Sequence, residues 1–107
     1  MSYSIWLEID TGAPEPAVIW ESNYTSNCSG MWWEALGRSL RDFQGAPCSE
    51  SAGPLAEGAQ RMQAEPERYR AMNPENGWGD YEGALEFLRD LAEACKTHSR
   101  AVIGMWS

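Results

Sequence analysis

The chain has 107 residues, 43% of them apolar, which suffices for one hydrophobic core and leaves little room for a second. Its net charge of −8 argues against direct binding of nucleic acid or of an anionic membrane, both of which need basic patches, and acidity of this size also serves solubility. Six Trp and four Tyr exceed what a small core consumes, so part of the aromatic surface is expected outside.

Residues 3–10, YSIWLEID, alternate cleanly: Tyr3, Ile5, Leu7 and Ile9 face one way, and Ser4, Trp6, Glu8 and Asp10 the other. The spacing predicts a strand. TGAPEPA follows as a hairpin loop, and a second strand is predicted over 17–24, antiparallel to the first. There Val18, Trp20, Ser22 and Tyr24 oppose Ile19, Glu21 and Asn23. NYTSNCSG breaks the alternation with side chains that bond nearby backbone, and Asn27 or Ser29 is the expected N-cap of a helix over 30–43. Trp33, Leu36, Leu40 and Phe43 form its expected apolar face, and Gly45 ends it. Ser51 and Pro54 suit the start of a second helix carrying Leu55, Ala59 and Met62; Pro66 closes it or opens a short turn containing Tyr69 and Met72.

The last helix has the clearest periodicity. Tyr81, Leu85, Leu88, Leu91, Ala92 and Cys95 make one stripe behind Asp80 as N-cap, and Asp80 and Glu82 suit the positive end of the helix dipole. AVIGMW, 101–106, reads as a terminal strand. The expected fold is one α+β domain over residues 1–107, in the order β-β-α-α-α-β. A small antiparallel sheet, the N-terminal hairpin plus the C-terminal strand, is covered on one face by about three helices.

Several chemistries find no support. Cys28, Cys48 and Cys95 are odd in number and contain no Cys-x-x-Cys pair, and His98 is the one histidine, placed beside Lys96 and Arg100 as a surface residue. A disulfide scaffold and a zinc or haem site are therefore not expected, and the thiols should be free. No cofactor or metal is expected, and no Ser-His-Asp, Cys-His or phosphate-loop pattern is present. Glu8, Asp10 and Glu21 could share one sheet face, where carboxylates can do acid–base chemistry or hold a hard cation, but an exposed acidic face is ordinarily solvation. The N-terminus lacks a basic segment followed by an apolar run, and no apolar stretch approaches a membrane span, so a cytoplasmic location is expected. Asn23-Tyr24-Thr25 and Asn27-Cys28-Ser29 match the glycosylation pattern but in that setting read as turn and capping chemistry.

NPENGWGDYEG, 73–83, is the most unusual stretch, with Trp78 between Gly77 and Gly79. Pro74 prevents helix continuation and both glycines permit positive φ. Trp78 has two readings: a plug folded back over the core, which is placed first, or a stacking surface presented with Tyr81 and flanked by Asn73, Asn76 and Asp80. ESNYTSN, 21–27, is either a capped strand-to-helix connection or a second wall of the same pocket, through Asn23, Tyr24 and Asn27.

YSIWLEIDTG, NYTSN and MNPENGWGDYEGAL together resemble a family of small proteins, without established activity, from tailed bacteriophages and actinobacterial genomes. The resemblance spans nearly the whole chain, with 44–64 the least similar part. It implies a phage or mobile-element origin and a cytoplasmic accessory role, and it carries over no catalytic residue. The resulting expectation is a protein that binds a host protein or sequesters a small ligand without catalysis. An acidic mimic of DNA is the alternative, followed by a small hydrolase or transferase, or a virion component. Oligomeric state is left open.

Overall fold

The computed structural model describes residues 2–106, and the strand with the cleanest alternation, Ser2–Ile9 (β1), lies at the centre of its sheet. Ala17–Thr25 (β2) pairs with it antiparallel on one side and Val102–Trp106 (β3) antiparallel on the other. Tyr3, Ile5 and Leu7 are buried, and the register sets Tyr24, Ser22 and Trp20 opposite them on the same face. Ile103 and Met105 of β3 complete that face.

One detail departs from simple alternation. The register slips between Leu7 and Glu8, where Trp20 pairs with Leu7 but Val18 pairs with Glu8, leaving Ile19 as an extra residue. Val18 therefore lies on the face opposite Trp20, not with it as the uninterrupted period requires.

Helices cover only the face bearing Ile5 and Leu7. The chain leaves β2 through a 3₁₀ turn, Ser26–Cys28, which Thr25 caps by accepting the Asn27 N–H at 3.3 Å. The first helix is Ser29–Leu36 (α1), shorter than the expected 30–43, and its N-cap is Cys28, not Asn27 or Ser29. Gly37, at φ 74°, ends it; a separate 3₁₀ turn at Leu40–Phe43 then buries Leu40 and Phe43. That break rotates the apolar face by one residue. Trp32 is fully buried, whereas Trp33 is 59% exposed.

Helix Cys48–Ala64 (α2) starts ahead of Pro54, which lies inside it, and Ser51 bonds the Pro47 carbonyl within the first turn. The expected short turn is a five-residue helix, Pro66–Arg70 (α3), with Tyr69 buried. The closing helix Tyr81–Thr97 (α4) begins at Asp80, whose Oδ1 accepts the Gly83 N–H at 2.7 Å. Of its expected stripe only Leu85 is half-buried; Ala84, Phe87 and Ala94 add to the buried side. One contiguous core joins the sheet face to α1, α2 and α4. The fold is α+β, in the expected order of elements except that the turn before the last helix is itself the short helix α3.

Candidate functional site

The two polar-aromatic segments meet. Tyr24 is the hinge of their junction: its hydroxyl accepts the Asp80 N–H at 3.0 Å and points back to the Asp80 carbonyl at 3.5 Å. Its ring is packed between Phe87, stacked with centroids 5.9 Å apart, and Trp32, edge-on at 6.2 Å. Gly83 makes this approach possible, because a Cβ there would overlap the Tyr24 hydroxyl. The end of β2 is thus locked to the start of α4 across 56 positions of sequence.

Above the lock lies an open cleft of about 840 Å³, lined by Ser2, Asn23, Tyr24, Thr25, Asn27, Asn76, Trp78, Gly79 and Asp80. Its size falls within the range of small-ligand sites. One bank is the end of β2 and the 3₁₀ turn; the other is the loop ahead of α4. Trp78 is 69% exposed, which overturns its reading as a core plug. Gly77 at φ 75° and Gly79 at φ 96° turn the backbone there, and the Asn76 Oδ1 accepts the Trp78 N–H at 2.9 Å. Gly79 is also a point of close approach. A Cβ on it would meet the Thr25 methyl at 2.5 Å and the Cys28 sulfur at 3.0 Å.

Tyr81 takes the buried place that Trp78 does not. It is 4% exposed, its hydroxyl donates to the Met62 carbonyl at 2.7 Å, and its ring stacks on Tyr69. Tyr81 is therefore a core residue. Asn73 is likewise outside the cleft, since its Oδ1 accepts the Tyr81 N–H at 2.8 Å and braces the loop onto the helix. Six of the eight sequence-derived residues, Asn23, Tyr24, Asn27, Asn76, Trp78 and Asp80, come together; Asn73 and Tyr81 do not. Ser2, Thr25 and Gly79 join them without a sequence signal beyond their nearness to these motifs.

The polar groups facing the cleft keep unused capacity. Asn27 donates its Nδ2 to Thr25 and leaves Oδ1 open; Asn76 uses Oδ1 and leaves its amide protons; Asp80 uses Oδ1 for the cap and leaves Oδ2. Asn23 makes no side-chain hydrogen bond among the described residues. Among the described residues no Lys or Arg lines the cleft. Beneath it, burial pushes the Cys28 thiol from 9 up to about 11, assisted by the Asp80 charge, and burial also raises Tyr24. Both remain protonated at neutral pH, so neither supplies a nucleophile there.

The carboxylates offer less. Glu8 and Glu21 do share the open sheet face, on either side of Trp6, but Asp10 turns into the hairpin and accepts the Gly12 N–H at 2.8 Å. Among the described residues no group of three His, Cys, Asp or Glu side chains is placed to hold a metal ion. A groove of about 370 Å³ between α2 and α4 is floored by Ala52, Ala56, Ala59 and Ala92, as close helix packing produces, and its polar side chains are the long flexible ones at its rim.

No protein-family model, curated protein or solved structure matches this chain.

Proposed function

We propose that this chain is a non-catalytic binding protein whose ligand, a small molecule or a segment of a host protein, is held in the cleft between the end of β2 and the start of α4. The observation that carries this reading is Trp78. A ring that large, exposed between two positive-φ glycines beside solvent-facing amides, supplies an aromatic platform with polar partners around it, as small-ligand and hot-spot sites do. The buried, protonated thiol and the absence of a nucleophile–base pair in the cleft favour binding over hydrolysis or transfer. In keeping with the resemblance of its motifs, the protein is read as a phage-type accessory factor acting in the host cytoplasm. Among the described residues no helix is long and apolar enough to cross a membrane.

Native mass spectrometry of protein isolated from its phage-infected or natural host tests this. Wild type should retain an added mass that Trp78→Ala loses while unfolding at the same temperature. Equal retention by both would place binding elsewhere.

Mimicry of DNA stands second, favoured by a row of exposed carboxylates along α4, Glu82, Glu86, Asp90 and Glu93. Arg89 interrupts the row, and Arg70 pairs with Glu82 at 3.4 Å. Mimicry requires that Glu86→Gln with Asp90→Asn weaken partner capture and that Trp78→Ala leave it intact.

A further inference from the structure

We infer that the cleft takes a neutral saccharide, with one face of a pyranose ring stacked on Trp78 and its hydroxyls bonded by Asn23, Asn27, Asn76 and Asp80. This deepens the binding reading above and rests on it. The first ground is the balance of polar groups. Asn23 offers both a donor and an acceptor, Asn76 offers donors, and Asn27 and Asp80 offer acceptors. A sugar hydroxyl donates and accepts at once, so it fits a wall of amides better than a ligand of one polarity does.

The second ground is charge. An anionic ligand, a phosphate above all, would find one carboxylate and no Lys or Arg among the described lining residues. A quaternary ammonium would find a single exposed ring and no cage, because Tyr24 is committed to Phe87 and Trp32. The third ground is layout. A flat nucleobase is best held between two walls and read along one edge. Here one ring stands alone, and the polar groups lie on both banks of an open bowl. That arrangement suits a ring with an apolar C–H face and hydroxyls around its rim.

The test is a set of ¹⁵N-edited titrations of the intact protein, reading the Trp78 indole N–H and the side-chain amides of Asn23, Asn27 and Asn76. The probes are glucose, galactose, mannose, N-acetylglucosamine, cellobiose and maltose, then adenosine and guanosine, then tetramethylammonium chloride. At least one saccharide should give saturable shifts confined to those signals. Trp78→Ala should weaken that binding about tenfold or more, Trp78→Phe less, and Asn23→Ala about threefold, as for one lost hydrogen bond. Each exposed position leaves the thermal midpoint as a folding control. Saccharide shifts absent, lying elsewhere, or insensitive to Trp78→Ala would overturn the inference. A nucleoside or tetramethylammonium saturating the same signals while saccharides stay silent would overturn the saccharide class and leave the cleft as a binding site. If no probe moves these signals, the saccharide class falls, and the native-mass comparison of wild type with Trp78→Ala decides separately whether the cleft binds at all.

Discussion

Glycine 83 shows how much one missing methyl group decides. It sits in the first turn of α4, where alanine would ordinarily favour the helix by about 1 kcal/mol. A Cβ there would instead overlap the Tyr24 ring and hydroxyl, and overpacking of this kind costs about 1–3 kcal/mol. Gly83→Ala should therefore destabilise the protein in urea unfolding. The same change in a Tyr24→Ala background should become neutral or stabilising, since only propensity remains. A destabilisation of equal size in both backgrounds would show that Tyr24 is not the obstacle. The cysteines allow a second check at this scale. All three are free and buried, and burial raises each thiol, so native protein should react slowly with a disulfide reagent and denatured, unreduced protein should release three thiols at once. Fewer than three would reveal a disulfide.

Among the elements, α4 organises both the core and the site. Its buried stripe packs against the sheet and α2, and its N-cap Asp80, with the loop ahead of it, forms one bank of the cleft. Leu88 is fully buried in that stripe, so Leu88→Ala should cost about 2–5 kcal/mol by chemical denaturation. A loss near 0.5 kcal/mol would mean that the site collapses around the deletion far more than a close-packed core allows. Asp80 separates two roles of the same residue. Because Oδ1 caps α4, Asp80→Ala should lower stability by about 1 kcal/mol, while Asp80→Asn keeps the cap and should leave stability within a few tenths. A ligand hydroxyl that donates to Oδ2 loses a charged acceptor in Asp80→Asn, so binding should weaken in a variant whose folding is intact, as seen by comparing thermal midpoint with titration. Equal losses in both measurements would mark Asp80 as architecture alone.

For the whole molecule, the raised thiols and Tyr24 predict how stability responds to alkali. A group that holds its proton more tightly when folded contributes stability that is complete below its unfolded value and is lost as pH rises through its folded value. For Cys28 that window runs from 9 to about 11; Cys95 extends it upward, and Cys48 and Tyr24 are raised in the same direction. The urea midpoint should be flat from neutrality to pH 8 and then fall, each thiol adding about 1.4 kcal/mol per pH unit within its window. Cys28→Ala should shallow the fall. A midpoint that rises between pH 9 and 11 would reverse the sign and refute the burial of these thiols. The opposite side of the sheet has no such covering: Trp6 lies over Gly104, and Val18, Val102 and Trp106 are exposed beside Glu8 and Glu21.

Local pattern determined what local physics controls. The two-residue period from Tyr3 to Leu7, the helical stripe from Tyr81 to Cys95 apart from the half-buried Leu85, and Asp80 as its cap appear as read, because each depends on neighbours within a turn or a strand. The errors lie where distant contacts compete. A stripe of Trp33, Leu36, Leu40 and Phe43 fits one long helix, but Gly37 in the left-handed conformation divides it, and Trp32 enters the core where its Nε1–H reaches the Ala84 carbonyl at 3.1 Å. The bulge that turns Val18 outward is likewise invisible in β2 alone, since it exists only in the pairing with β1. NYTSN and NGWGD each announced a polar turn bearing an aromatic residue, and their meeting required Tyr24 to close on Asp80 over a bare Gly83. Which ring went inside was settled the same way. Trp78 and Tyr81 are three residues apart and both large and apolar, but only Tyr81 follows the cap on the inward side of α4, with a buried carbonyl at Met62 to receive its hydroxyl. Periodicity records which residues can be buried; tertiary packing supplies the partner that decides which one is.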